Sequence, residues 1–215
     1  SNIYTTIFSV FNTAWTEQCV LHYKEEGGKE YLAKTVIVVT KIFTSMTIGL
    51  VATMPFVFYI MVNVKYQDAY GIIPIYLFAV YFNVIIGLLS PIYLVYNETG
   101  KVAKSTICAA LINIVVDILL VPFVGVYAAA ISSLVAYFII SLWRLLDVRK
   151  HYVKIDFSGR FIVVSVLVLL VVIMGYYMNI FWGKIICFII ALIYALILNR
   201  EILKNTLAKF LKHKK

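Results

Sequence analysis

Residues Ile72–Val95 read IIPIYLFAVYFNVIIGLLSPIYLV, 24 residues without a single charge. A helix needs about 20 mostly apolar residues to cross about 30 Å of hydrocarbon, so this stretch predicts a membrane span. Working outward, six further segments read the same way, some barely long enough: Tyr4–Leu21, Val36–Tyr59, Ile107–Pro122, Tyr127–Leu146, Phe161–Tyr177 and Lys184–Leu198. The polar stretches between them are too short for a soluble domain. The composition agrees: of 215 residues, 63% are apolar and 13% charged, with mean hydropathy +0.97. A soluble domain carries roughly 45–50% apolar and about 25% charged residues. Backbone in hydrocarbon must satisfy its own hydrogen bonds, and no alternating strand pattern is present, which predicts an all-α polytopic transmembrane bundle of about seven spans. Residues 1–199 form the predicted transmembrane domain and residues 200–215 a basic tail.

The charges supply an orientation. Of the 19 Lys and Arg residues, 16 fall at or after the ends of the first, third, fifth and seventh spans; the other side holds Lys65 and Lys184, and Lys41 lies within a span. Cytoplasmic loops are enriched in Lys and Arg, so the larger set, including the C-terminus, is expected in the cytoplasm. The net charge of +9 is therefore a topological label. Nucleic-acid binding would need a soluble basic domain, and none is present. Arg200–Lys215 is a candidate amphipathic helix for the anionic leaflet, with Ile202, Leu203, Leu207, Phe210 and Leu211 on one side. With neither an initiator Met nor a signal-peptide pattern before the first span, the chain reads as the C-terminal portion of a longer transporter.

Polar residues at membrane depth are costly and each needs a reason. Asn113 and Asp117, spaced i, i+4, share one face of their span. That face either lines a substrate path or hydrogen-bonds a neighbouring helix. Lys41 either faces a lumen, where it meets an anionic headgroup or diphosphate, or snorkels back to the interface. Tyr76, Ala79, Asn83, Gly87 and Ser90 form a small and polar stripe on the third span, and Gly125, Ala129 and Ser133 repeat it on the fifth. Small residues permit close helix approach in lipid; Asn83 is also a substrate-path candidate. The four prolines stand near span ends, where they bend or begin helices. Cys19, Cys108 and Cys187 lack paired spacing, and the three histidines lack metal-ligand spacing. No nucleophile elbow, phosphate loop or paired-carboxylate motif occurs, so neither an enzyme nor a bound cofactor or metal is expected.

The stretch from Asn113 through Asp117, Pro122 and Gly125 to Ala130, NIVVDILLVPFVGVYAAA, resembles the "N…LIP.yGi.GAA" pattern of Wzx-type polysaccharide flippases. These O-antigen and capsule exporters belong to the multidrug/oligosaccharidyl-lipid/polysaccharide exporter superfamily. Lys65–Ala69 followed by Pro74 is similar to the family's "Y..A....P" outer loop, and Phe11–Trp15 leading to Tyr23 and Lys24 to a helix end before a cytoplasmic loop. The sequence departs from the family at Ala128, where a second Gly is usual, and at Thr16, where Pro is common.

The resemblance implies a two-lobe transporter of which this chain is the latter half. Its implied activity is flipping of an undecaprenyl-diphosphate-linked oligosaccharide across a bacterial or archaeal cytoplasmic membrane for surface polysaccharide. Lys41, Asn83, Asn113 and Asp117 are then the substrate-path candidates, Glu17 a further lumen charge, and Arg144, Arg149 and Lys150 the groups that draw the diphosphate to the cytoplasmic mouth. The implied partners are the lipid-linked oligosaccharide, membrane lipids and the polysaccharide polymerase machinery, with no nucleic acid. An ion-coupled multidrug exporter and a membrane subunit of a cell-envelope glycan enzyme are the alternatives, with a purely structural scaffold behind them.

Overall fold

The computed structural model describes residues 2–61, 69–178 and 180–204. Among them it contains seven α-helices and no strand: α1 (Asn2–His22), α2 (Gly28–Met61), α3 (Ile72–Val95), α4 (Thr99–Val124), α5 (Tyr127–His151), α6 (Gly159–Tyr177) and α7 (Phe181–Leu198). Six of these, α2 to α7, are long and apolar enough to cross a membrane, and the chain is a multi-pass membrane protein. Helix α1 stands apart from the expected set of spans, because Asn12, Thr13, Thr16, Glu17 and Gln18 lower its hydropathy. The Lys65–Asp68 part of the outer-loop resemblance and the tail from Asn205 onward lie outside the described residues.

The helices outrun the apolar segments at several ends. Helix α2 begins at Gly28 rather than Val36, α4 at Thr99 rather than Ile107, and α5 continues from Leu146 to His151. Hydropathy marks the part of a helix that meets lipid, whereas the hydrogen-bonded ladder continues into water as long as propensity allows. Pro55, Pro91 and Pro122 are all inside helices, near their C-terminal ends.

The chain divides into two compact units. The first holds α1, the opening turns of α2 as far as Val38, and α3 to α5 with the segment ending at Asp156. Helix α3 is its centre, packed on α1 and α5, and α5 packs in turn on α4. Leu88, Leu89, Ile92 and Tyr93 of α3 are completely enclosed. The Trp15 indole N–H donates to the Leu88 carbonyl at 2.9 Å, fastening α1 to α3, and Gly87 leaves room for Phe8. Helix α3 ends in a Schellman turn. Asn97 takes a left-handed φ of 58°, its N–H bonds Leu94 O, and the Glu98 N–H reaches Tyr93 O. Gly125, at φ 55°, makes the short α4–α5 turn.

The second unit holds the remainder of α2 with α6 and α7. Gly175 of α6 admits the Cys187 side chain of α7, so these two helices approach closely. The Ser165 and Tyr194 hydroxyls pair at 2.6 Å. Asn199 Nδ2 donates to Ser45 Oγ at 2.8 Å, and Phe56 meets Phe181 and Phe188 edge-on, joining α2 to α7. Outward faces of α6 and α7 are strongly apolar, with Leu167, Leu170, Leu192 and Leu196 exposed. Helix α4 resembles them: only Ser105 and Ala109 are buried, while Leu111, Ile114, Ile118 and Phe123 face outward. Such surfaces are stable against acyl chains, not water.

Gly28 closes the turn between α1 and α2. A Cβ there would overlap the His22 carbonyl, a backbone atom that cannot swing aside, whereas a Cβ on Gly100 would meet nothing. Gly28→Ala is expected to lower stability in detergent by roughly 1–3 kcal/mol. Gly100→Ala is expected to raise it by roughly 0.4–1 kcal/mol through the unfolded chain. Equal effects of the two substitutions in SDS titrations would refute the tight turn.

Candidate functional site

Arg144 differs most from its sequence reading. It was expected at an aqueous mouth, yet its side chain is 1% exposed and lies between three helices of the first unit. It stood two residues inside the expected span end at Leu146; α5 continues to His151, and α3 and α4 pack over Arg144 and supply its acceptors. Its Nη1 donates to Ile86 O at 3.0 Å and Ser90 Oγ at 2.7 Å on α3. Its Nη2 donates to Val102 O at 3.1 Å, Ser105 Oγ at 2.6 Å and Thr106 Oγ1 at 3.1 Å on α4, and Nε to Ser105 Oγ at 2.9 Å.

The hydroxyls are arranged to accept. Ser90 gives its own proton to Ile86 O, and Ser105 and Thr106 give theirs to Val102 O, leaving oxygen lone pairs for the guanidinium. Tyr93 OH donates to the Arg144 carbonyl at 3.4 Å. Every guanidinium N–H has an acceptor, but among the described residues no carboxylate forms an ion pair with it. Sequence reasoning missed Ser105 and Thr106. The available signal was the i, i+3, i+4 spacing of Val102, Ser105 and Thr106, which sets three acceptors on one helical face.

Near Arg144, the ends of the helices gather a second polar group. Lys101 Nζ donates to Tyr152 OH at 2.8 Å and pairs with Asp147 at 3.4 Å. His151 Nδ1 lies 3.0 Å from the same carboxylate. The Tyr152 ring packs against Tyr93 and Tyr96, and Tyr96 against Tyr23. Burial pushes the Tyr96 phenol up from its ordinary pKa, which favours its neutral form. Beside it, Arg149, Lys150 and Lys154 share a groove of about 480 Å³ with Lys29 and Glu30 from the start of α2. Arg149 and Lys150 are thus brought together, and Arg144 is separated from them by burial.

The remaining candidates take different surroundings. Asn113 Nδ2 donates to Ser133 Oγ at 3.0 Å, and Ser132 Oγ donates to Asp117 Oδ1 at 3.5 Å, so both of these α4 side chains reach hydroxyls on α5. Of the two readings of that face, the interhelical one has partners in the structure. Lys41 Nζ stands 5.9 Å from the centre of the Phe161 ring, in the first turn of α6, a cation–π contact near the helix end. Asn83 is exposed, and Glu17 is exposed on α1. The stripe on α3 does not act as one face: Ala79 is buried, Gly87 admits Phe8, and Ser90 serves Arg144.

The guanidinium network makes a testable distinction. Arg144→Met removes both the charge and its bonds, and is expected to cost roughly 1–3 kcal/mol of stability in detergent. Arg144→Lys keeps a buried charge on three donors that cannot reach α3 and α4 together, and is expected to cost more than Arg144→Met. SDS or thermal unfolding of the two variants measures the order; the reverse order would refute the network as the site of the charge. Comparison with family models, with curated proteins and with solved structures gives no match for this chain.

Proposed function

We propose that the protein is a transporter that moves a lipid-linked, diphosphate-bearing oligosaccharide across the bilayer for surface polysaccharide synthesis. Asn83 carries this reading. It stands near the middle of α3, roughly 17 Å from either end, and its side chain is exposed. Burying an amide in hydrocarbon without a partner costs roughly 2–7 kcal/mol. An outward-facing amide at that depth is therefore reasonable beside a polar path and expensive against acyl chains. Tyr76, exposed nearer the start of the same helix, adds a hydroxyl-bearing ring to that surface.

Two further features support the reading. The Asn113–Ala130 stretch resembles the polysaccharide flippases, and Arg149 and Lys150 make the end of α5 basic, which raises the concentration of anionic headgroups at that end. In this reading that end is cytoplasmic, the cargo and surrounding lipids are the partners, polymerase machinery uses the delivered product, and no bond chemistry or cofactor is involved. Lys41 and Asp117 are structural in it, since Phe161 and Ser132 already engage them.

The test uses the protein in its own membrane with Cys19, Cys108 and Cys187 replaced by Ala. Asn83→Cys is expected to react with a membrane-impermeant thiol reagent and to be protected by added lipid-linked oligosaccharide. Asn83→Leu is expected to lower surface polysaccharide roughly tenfold at unchanged protein abundance, about 1.4 kcal/mol in a rate-limiting step. Asp117→Asn, which keeps an acceptor for Ser132, is expected to export normally. An unreactive Asn83→Cys together with normal export by Asn83→Leu would sink the proposal.

A further inference from the structure

The basic groove of the first unit carries an inference that does not depend on the transport reading. It lies where two apolar helices leave the hydrocarbon. One wall is the first two turns of α2, with Lys29, Glu30 and Ala33; the other is the last turn of α5 and the segment after it, with Arg149, Lys150, Tyr152 and Lys154. Val153 and Ile155 are buried, which holds that segment against the unit and keeps Lys154 beside the helix end. Tyr152 is fixed from the other side by Lys101 and by the Tyr93 and Tyr96 rings. The cations therefore stand on a framed surface, not on a free loop.

The charge there is unbalanced. Four Lys and Arg side chains line the groove against one carboxylate, Glu30. Asp156 pairs with Arg149, and Asp147 is shared by Lys101 and His151 on the other flank of α5. Lys29, Lys150 and Lys154 thus line one groove whose one lining carboxylate is Glu30. The ordinary role of terminal cations accounts for only part of this. Arg149, Lys150 and His151 offset the negative end of the α5 dipole. Lys29 sits in the first turn of α2, the positive end, where a cation is unfavourable. Lys154 lies beyond any helix. An anion in the groove offsets the mutual repulsion of these cations.

We propose that this groove binds the phosphate of an anionic phospholipid headgroup as a resident lipid site. The phosphate oxygens accept from Lys29, Lys150 and Lys154, as charge-assisted hydrogen bonds require. The acyl chains follow the apolar surface of α5 into the bilayer, and the Tyr152 ring lies at the headgroup level, as interfacial aromatics do. A lipid is favoured over a soluble anion because the groove opens at the ends of two membrane-spanning helices, with Ala33 and Val153 as apolar floor.

The experiment places the purified protein in nanodiscs of about one part phosphatidylglycerol to four of phosphatidylcholine and counts retained lipids by native mass spectrometry. The wild-type protein is expected to retain phosphatidylglycerol over phosphatidylcholine by roughly tenfold. Joint replacement Lys29→Gln, Arg149→Gln, Lys150→Gln and Lys154→Gln is expected to abolish that preference. Two controls guard the result: Lys29→Arg with Lys150→Arg and Lys154→Arg keeps the preference, and so does Lys24→Gln with Lys34→Gln, Lys104→Gln and Arg160→Gln, which removes four charges elsewhere. No preference in the wild-type protein, or an equal loss in the second control, overturns the proposal. Saturation of the groove by inorganic phosphate in neutral nanodiscs, with no selective lipid retention, assigns it to a free anion and overturns the lipid site.

Discussion

A guanidinium buried among apolar helices must find an acceptor for each of its five N–H groups inside the protein, because lipid supplies none. Arg144 meets that demand with carbonyls and hydroxyls from α3 and α4 while its own backbone belongs to α5. The consequences reach through the first unit. Three helices are held in one register, since sliding any of them by a turn strands a charged donor. Ser90, Ser105 and Thr106 keep small side chains at the contact, which lets the helices approach closely, as packing in lipid favours. Tyr93 and the Lys101, Asp147 and Tyr152 group continue the polar seam to the helix ends.

The second unit is built on a different balance. Its helices present apolar faces outward and join through small-residue packing and a few hydroxyl and amide contacts, as at Gly175 with Cys187, Ser165 with Tyr194, and Asn199 with Ser45. Without a hydrophobic drive between helices in lipid, these contacts and van der Waals packing hold the unit together. The outer half of helix α4 in the first unit also shows lipid an almost wholly apolar surface, and its polar groups Asn113 and Asp117 turn toward α5. Against that background an exposed Asn83 on α3 stands out, and the functional reading rests on it.

Much of the architecture was legible in the residue order. Uncharged runs such as Ile72–Val95 announced helices, and the Asn113 and Asp117 spacing announced a shared face. Helix ends were read short because hydropathy falls off before the hydrogen-bond ladder does, as at Gly28–Thr35 and Asp147–His151. Arg144 was misplaced for a different reason: a cation two residues from a span end looks solvated unless the helices that cover it are known. Its partners lie 39 and 54 residues away along the chain, at Ser105 and Ser90. No local pattern connects residues at such separations.

What the sequence determined by itself is the solvent: a chain this apolar, with its cations clustered between spans, requires helices in a bilayer whatever their packing. Tertiary structure alone decided the use of each polar group. Arg144 became an internal fastener while Arg149 and Lys150, five and six residues further on, stayed at a basic groove. The physical reason is that burial and hydrogen-bond partners are properties of helices brought together, and a guanidinium costs or contributes stability according to the acceptors that surround it.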